Sequence, residues 1–369
     1  MSDWSSGQRG ALDAVPAWYK SGDQQIFRLF GYAGTGKTTL AKHFVSTIKG
    51  RVCFAAYTGK AALMMRKSGC FGAQTIHSLI YRTIQDPQTG KLSFIWNEHG
   101  DASTAAIIVI DEASFVDEKV GSDLMRYGKP ILVLGDPFQL PPVKGAGFFT
   151  EQDPDFMLDE IHRQAESSPV VTLATNVRTG KGLALGAYGS SAVVKSADIN
   201  RLEVSMGVDQ VIVGKNITRD AVNRSMRSAM DRESPMPEQG DRVVCLKNDK
   251  DIGIFNGGIF EVSRVLGDDD SDKIVGLEVE SKDFESKAPI KVRVRKEFFC
   301  GKSDMVDWKE LRGLQQFDYG YALTGHKSQG SQWDHVAVFD ESACFRESSD
   351  RWLYTAITRA SESVVVIRR

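Results

Sequence analysis

Eight consecutive residues, Gly31-Tyr32-Ala33-Gly34-Thr35-Gly36-Lys37-Thr38, constrain this chain more than any other part of it. They satisfy GxxxxGK[ST] at every fixed position. The glycines let backbone N–H groups approach phosphate oxygens, and the start of the next helix adds positive potential there. Such a loop works between a buried strand and a helix. Residues 26–30 form the apolar run before it, and 38–48 read as the helix after it. Lys37 is expected to reach β- and γ-phosphates and the Thr38 hydroxyl to hold Mg²⁺.

The runs 52–56, 105–110 and 131–134 are rich in β-branched residues, and several lack clear alternation. They suit strands buried on both faces of a parallel sheet, so the fold class is α/β. Ile107-Ile108-Val109-Ile110-Asp111-Glu112 ends a strand in two carboxylates, where open α/β sheets place their chemistry. Asp111 can bind Mg²⁺, and Glu112 can orient and deprotonate water. Leu134-Gly135-Asp136-Pro137-Phe138-Gln139-Leu140-Pro141-Pro142 follows another strand. Gln139 can report a γ-phosphate there, the alternative being a merely rigid turn.

After Pro154 the pattern restarts, with a helix at 168–178 and strands at 211–213, 336–339 and 364–367. This predicts a first α/β domain over 1–150 and a second over 151–240 and 316–369. Residues 241–315 are dense in short alternating runs and turns, which predicts a small β-barrel insert. Residues 81–86 and 91–96 flank Pro87-Gln88-Thr89-Gly90, which predicts a hairpin within an insertion at about 80–104. Arg163 and Arg359 stand out in the second domain as cations for a transferring phosphoryl group, with surface arginines as the plainer alternative.

Gly320-Tyr321-Ala322-Leu323-Thr324-Gly325-His326-Lys327-Ser328 nearly repeats the phosphate motif, but His326 splits the Gly-Lys pair. A second nucleotide site is rejected; polar groups on such a loop suit phosphate-backbone contacts. Lys291-Val292-Arg293-Val294-Arg295 puts three cations on one strand face, with Lys296 beyond them. That face can grip a phosphate backbone or be a solvated surface. Trp96, Trp333 and Phe138 are candidates for base stacking, with structural packing as the alternative.

Composition narrows the remainder. The net charge of -2 over 369 residues neither supports nor excludes nucleic acid. No apolar run approaches the ~20 residues of a membrane span, and the first residues lack the pattern of a signal peptide, so a cytoplasmic location without a membrane partner is expected. The five cysteines are scattered without zinc spacing, and the six histidines form no metal motif.

The ordered set AGTGKTT, VIDEAS, LGDPFQLPPV, YALTGHKSQGSQW and YTAITRA resembles the superfamily 1B DNA helicases, specifically the RecD-like and Dda-like group. The resemblance spans nearly the whole chain. It implies two RecA-like domains binding ATP and Mg²⁺ between them, with a strand-separating hairpin in the first and an SH3-like insert in the second. Gln8 matches the adenine-reading glutamine, with Gly7 in place of a polar neighbour. Gly34, Thr35, Gly36, Lys37, Thr38, Thr39 and Gly330 fall at nucleotide positions, and Gln139 at the coupling glutamine. Arg163 and Arg359 match two γ-phosphate arginines. Thr58, Lys60, Thr75 and His77 match DNA-contacting motifs, as do Thr324, His326, Lys327 and Ser328.

The function so implied is ATP-driven 5′→3′ movement on single-stranded DNA, with unwinding at single-strand/duplex junctions. A monomer suffices for one complete cleft, and a replication or recombination protein is a compatible partner. Two readings keep the same motifs: the motor subunit of a larger recombination or nuclease complex, and an RNA-directed helicase. A P-loop kinase or nucleotide switch is a third, against which the second domain's motifs argue.

Overall fold

The computed structural model describes residues 4–85, 92–141, 147–160, 167–249, 251–268, 273–283 and 288–369. The chain divides into two units, 1–179 and 180–369.

Unit 1 runs α1 (Ser6–Ser21), β1 (Ile26–Gly31), α2 (Lys37–Val45), β2 (Arg51–Ala56), α3 (Gly59–Lys67), β3 (Gln74–Thr75) and α4 (Ile76–Ile80). Strands β4 (Tyr81–Gln85) and β5 (Leu92–Trp96) follow, then β6 (Ala105–Asp111), α5 (Glu118–Met125), β7 (Ile131–Gly135), β8 (Phe156–Leu158) and α6 (Pro169–Arg178). Six strands form a sheet in the order β3-β2-β6-β7-β1-β8. Every neighbouring pair in it is parallel. Helices cover both faces. Ala11, Leu40, Phe44 and Met65 fill one apolar layer, and Ile76, Leu79, Val120 and Leu124 the other. Hence Ile107 to Ile110 are fully buried, which is why that run shows no alternation. Strands β4 and β5 pair antiparallel as a separate ribbon; the turn at Pro87–Gly90 lies outside the described residues.

The boundary between the units falls after residue 179, not at 150. Strand β8 adds parallel to β1, with Leu29 opposite Phe156 and Gly31 opposite Leu158, so it completes the first sheet. An edge strand of three residues carries too little pattern to show which sheet it joins.

Unit 2 contains β9 (Gly186–Tyr188), β10 (Ser191–Lys195), α7 (Arg201–Met206), β11 (Gln210–Val213), α8 (Asn216–Ser228) and β12 (Arg242–Cys245). It continues through β13 (Ile259–Asp268), β14 (Ile274–Ser281), β15 (Ile290–Arg295), α9 (Lys296–Phe299), β16 (Phe317–Tyr319) and β17 (Ala322–Thr324). It ends with β18 (Trp333–Phe339), α10 (Ser349–Ile357) and β19 (Ala360–Arg368). One sheet has the order β17-β11-β18-β19-β10-β9, parallel except where β9 meets β10. The other, β15-β14-β13-β12-β16, is antiparallel throughout. The two share one apolar cluster. Val211, Val213 and Phe339 of the first pack with Val243, Phe260, Val262 and Phe317 of the second. The region 241–315 therefore does not have a core to itself.

On β15, Val292 and Val294 point inward while Lys291 and Arg293 are exposed. Arg295 departs from the expected cationic face. It is 7% exposed, and its guanidinium is bound by Glu297 at 2.5 Å and Glu310 at 3.3 Å. The face carries two cations, not three. Among the described residues, Cys53, Cys70 and Cys245 are buried, Cys300 and Cys344 exposed, and all five are free thiols. No described helix is long and apolar enough to cross a membrane.

Candidate functional site

Strand β1 ends at Gly31, and the chain turns through 32–36 into α2. Gly36 caps that helix at φ 83°, a left-handed conformation natural to glycine, with no side chain hydrogen-bonding to the helix start. The first-turn N–H groups are thus left for an anion. Gly31 is required by crowding, since a Cβ there would sit 2.6 Å from Thr35 Oγ1 and 2.8 Å from Leu158 Cβ. Thr35 is fully buried and donates its hydroxyl to Tyr32 O at 2.8 Å. Lys37 Nζ donates to Gly31 O at 2.6 Å and to Tyr32 O at 3.0 Å, folded over the loop's own carbonyls.

Gln8 reaches this loop from α1. Its Nε2 donates to Thr35 O at 3.1 Å, and its Oε1 accepts the Ser5 amide at 3.1 Å. The Ser5 hydroxyl accepts the Gln8 amide in return, so one side chain both caps α1 and touches the phosphate loop. Glu160 accepts from the Gly7 amide at 3.0 Å and the Ser6 hydroxyl at 2.5 Å, and these bonds hold its carboxyl below the usual range. Neither Glu160 nor Arg178 was legible as a site neighbour. The Arg178 guanidinium lies 3.7 Å from the centre of the Tyr32 ring and so braces the loop from α6.

The strand order places β6, β7 and β1 side by side, so their carboxyl ends converge. Thr38 Oγ1 donates to Asp111 Oδ2 at 3.2 Å. Asp111 Oδ1 accepts the Glu112 amide at 2.9 Å. Glu112 itself sits at φ 55° and ψ 43°. After β7, buried Asp136 accepts the Phe138 amide at 3.0 Å, and the Gln139 amide donates to Asp136 O at 3.3 Å. That turn holds Gln139 half-buried at the same edge, and Thr39 is exposed on α2. Pro142 lies outside the described residues, as does Arg163.

Thr58, just beyond β2, and Thr75, the last residue of β3, act as helix caps. Thr58 Oγ1 accepts the Ala61 amide, and Thr75 Oγ1 the Ser78 amide, each at 3.1 Å. Lys60 is 2% exposed, so its cation is enclosed and not displayed. His77 sits among aromatic rings: Tyr57 at 6.0 Å, Tyr81 at 5.5 Å and Phe94 at 6.0 Å. Phe94 is 58% exposed. Trp96 is engaged in packing, with its indole N–H on Asp123 O and Arg126 3.8 Å above its ring. Trp333 packs partly buried against Val244, Ile259 and Leu323.

In unit 2, β17 leads into Gly325-His326-Lys327-Ser328. Thr324 Oγ1 accepts the Lys327 amide at 3.4 Å, and Ser328, fully buried, donates to Gly325 O at 2.8 Å. His326 lies 5.7 Å from the Phe345 ring, and burial pushes its pKa below the ordinary histidine value. Lys327 reaches solvent, yet crowding by protein atoms and the nearby Arg219 lower its pKa, with Asp318 and Asp220 opposing. Arg359 is 6% exposed. It donates to Thr355 O at 3.1 Å, Ser331 O at 3.2 Å and Thr358 Oγ1 at 3.3 Å, which ties it to the segment after Gly330. Glu341 was not foreseen. Its carboxylate accepts the Gly214 amide at 2.8 Å, the Lys215 amide at 3.0 Å and the Thr218 hydroxyl at 2.8 Å. The start of α8 is thereby closed by the protein's own anion.

A family model described as an AAA domain matches residues 4–198, and a UvrD-like helicase C-terminal domain matches 319–367. The ATP-dependent RecD2 DNA helicase of Deinococcus radiodurans is 26% identical over 362 residues, 90% of this chain and 46% of that protein. The ATP-dependent DNA helicase dda of Enterobacteria phage T4 is 30% identical over 196 residues, 49% of this chain and 44% of that protein. The chain thus spans less than half the length of either relative. Bacteroides Pif1 bound to single-stranded DNA matches in fold with a TM-score of 0.59 at 17% identity, covering 99% of this chain and 92% of that one.

Proposed function

The chain belongs to the superfamily 1B helicases of the RecD, Pif1 and Dda kind, and from that membership we propose that it hydrolyses ATP to move 5′→3′ on single-stranded DNA and open duplex at single-strand/duplex junctions. The observation that carries this reading is the meeting of Lys37, Thr38, Asp111 and Glu112 at the carboxyl ends of β1 and β6.

The residues fit a magnesium nucleotide. The uncapped first turn of α2 offers amides to phosphate oxygens. Thr38 Oγ1 and Asp111 Oδ2 are hard oxygen donors of the kind Mg²⁺ accepts, and that ion takes few protein ligands. Among the described residues no larger His/Cys/Asp/Glu cluster competes for a metal. When bound, Mg²⁺ neutralises charge on the β- and γ-phosphates.

The protein's own groups then do the following. Lys37 exchanges the Gly31 and Tyr32 carbonyls for phosphate oxygens. Glu112 orients water and takes its proton. Gln139 senses the γ-phosphate, and Arg359, with Arg163, meets the charge that develops during transfer. Gln8 reads the base edge from α1, and the family resemblance gives Gly330 a nucleotide-contacting role. Thr58, Thr75 and His77 hold one stretch of strand, and Thr324, His326 and Lys327 another, while buried Lys60 and Ser328 support these segments from within. Such contacts are mainly to the backbone, so binding is sequence-tolerant and salt-sensitive. Differential affinity of the nucleotide states for DNA drives the alternation of grip. The β4–β5 ribbon acts as the separating pin, the antiparallel sheet is the SH3-like insert, and the chain works as a monomer.

The deciding experiment offers matched duplexes with a 5′ or a 3′ single-stranded tail, with Lys37→Ala as control. Unwinding from the 5′ tail alone is expected. Unwinding from the 3′ tail alone overturns the polarity, and single-strand-stimulated ATPase without any unwinding overturns the helicase reading in favour of a translocase.

A further inference from the structure

The chain passes from the antiparallel sheet to the parallel sheet of unit 2 in two residues, Gly320 and Tyr321, between β16 and β17. That crossing is held from several sides. The Gly320 amide donates to Arg242 O at 2.9 Å, and a Cβ on Gly320 would lie 3.0 Å from the Val243 carbonyl carbon. Gln210, fully buried, donates to Gly320 O at 3.3 Å and Tyr321 O at 3.0 Å. Asn223 of α8, 3% exposed, donates to Tyr319 O at 3.3 Å and accepts the Ala322 amide at 2.8 Å.

The centre of this arrangement is Asp241, fully buried one residue before β12, where the chain first leaves the parallel sheet. Its Oδ1 accepts from Arg227 Nε at 3.1 Å, Arg232 Nη1 at 3.1 Å and the Tyr321 hydroxyl at 2.8 Å. Its Oδ2 accepts from Arg227 Nη2 at 3.2 Å and the Glu238 amide at 2.7 Å. Arg232 Nη1 also donates to the Tyr321 hydroxyl at 2.9 Å. One carboxylate therefore ties the residue where the insertion begins to the residue where it ends. A buried carboxylate whose two oxygens both accept hydrogen bonds in this way favours one conformation and rigidifies the segments it joins.

Three residues beyond Tyr321 lies Thr324, the first of the loop through Ser328. Gly325 at its head donates to Val213 O at 3.0 Å. We propose that Asp241, with Arg227, Arg232 and Tyr321, is a positioning cluster that fastens the inserted antiparallel sheet to the nucleic-acid-gripping loop 324–328, so that the two move as one body. This rests on the DNA-translocating reading for its functional consequence, but the mechanical fastening stands on unit 2 alone. A load on the insertion is then felt at the grip without a hinge between them.

The test uses the full-length protein with Tyr321→Phe, Arg232→Gln and Arg232→Lys. Hydrogen exchange followed by mass spectrometry reads the fastening, and ATPase with and without single-stranded DNA reads its consequence. In Tyr321→Phe and Arg232→Gln, amides of 320–325 should lose about tenfold in protection while β13 and β14 keep theirs. The DNA concentration for half-maximal stimulation should rise about fivefold, with DNA-independent ATPase unchanged, and Arg232→Lys should recover part of the loss. Unchanged protection at 320–325 overturns the proposal. So does faster exchange throughout unit 2 with a parallel fall in both ATPase activities, which is loss of stability alone. If the unmodified protein shows no stimulation by single strands, the functional reading fails, and the exchange comparison still decides the fastening.

Discussion

Glu112 holds a left-handed backbone conformation that costs a residue with a Cβ about 1–2 kcal/mol. Strain of this kind persists where the surroundings over-determine it, and here Asp111 accepts the Glu112 amide directly. Glu112→Gln keeps shape and removes the carboxylate proposed to act as the base. Nucleotide binding should survive while phosphate release slows by about 10²-fold or more; equal turnover in a steady-state assay would remove Glu112 from its role. His326 makes a different prediction. Burial lowers its pKa, so the folded state prefers the neutral ring, whereas the unfolded chain protonates near the ordinary value of about 6.5. The unfolded state thus binds more protons as pH falls through that value, and stability drops. The thermal midpoint should decline between pH 7 and pH 5.5, and decline less in His326→Gln; identical pH slopes would dissociate His326 from the effect. Lys37, Thr38, Asp111 and Glu112 were legible because each belongs to a local motif. Arg178 was not, since a lone arginine in a helix's last turn says nothing about the ring it meets 146 positions earlier.

A free two-stranded ribbon is marginal in water, so the β4–β5 pair needs fastening. It is held at its base: the Tyr81 hydroxyl donates to Asp123 Oδ2 at 2.7 Å, and the Trp96 indole to Asp123 O at 3.1 Å. Further out, Ile84 and Ile95 share one face of the ribbon and are 41% and 42% exposed, an apolar surface that a pin would turn toward bases. Shortening the turn at 87–90 should therefore impair duplex unwinding while leaving single-strand translocation near normal, as followed by strand separation and by displacement of a protein block. Equal losses in both assays would mean that the ribbon is not a pin. The β-prone runs on either side of Pro87 and Gly90 announced these strands. Their attachment to α5 was beyond sequence reading, because Asp123 lies 42 residues from Tyr81 and is an ordinary surface acid by type.

Unit 2 is one apolar body spanning two sheets. Replacing 242–319 with a short linker would strip Val243, Phe260, Val262 and Phe317 from the cluster that also buries Val211 and Val213. Deleting one large buried side chain typically costs about 2–5 kcal/mol, and marginal stability cannot absorb several such losses. The excised chain should lack a cooperative melt for unit 2 by circular dichroism or calorimetry; a sharp transition would show that the insertion is dispensable. At this scale the division of labour between chain and fold is plain. Local sequence specified the phosphate loop, the two carboxylates after a buried strand and the order of the motifs. These follow from glycine's backbone freedom, the chemistry of lysine and carboxylate, and local periodicity, all acting within a few residues. The tertiary structure decided that β6, β7 and β1 are neighbours, that β8 belongs to the first unit, that Lys60 and Arg295 are enclosed, and that Asp241 meets Tyr321. Strand order, burial and long-range hydrogen bonds depend on every contact being made at once, and no local pattern carries that information.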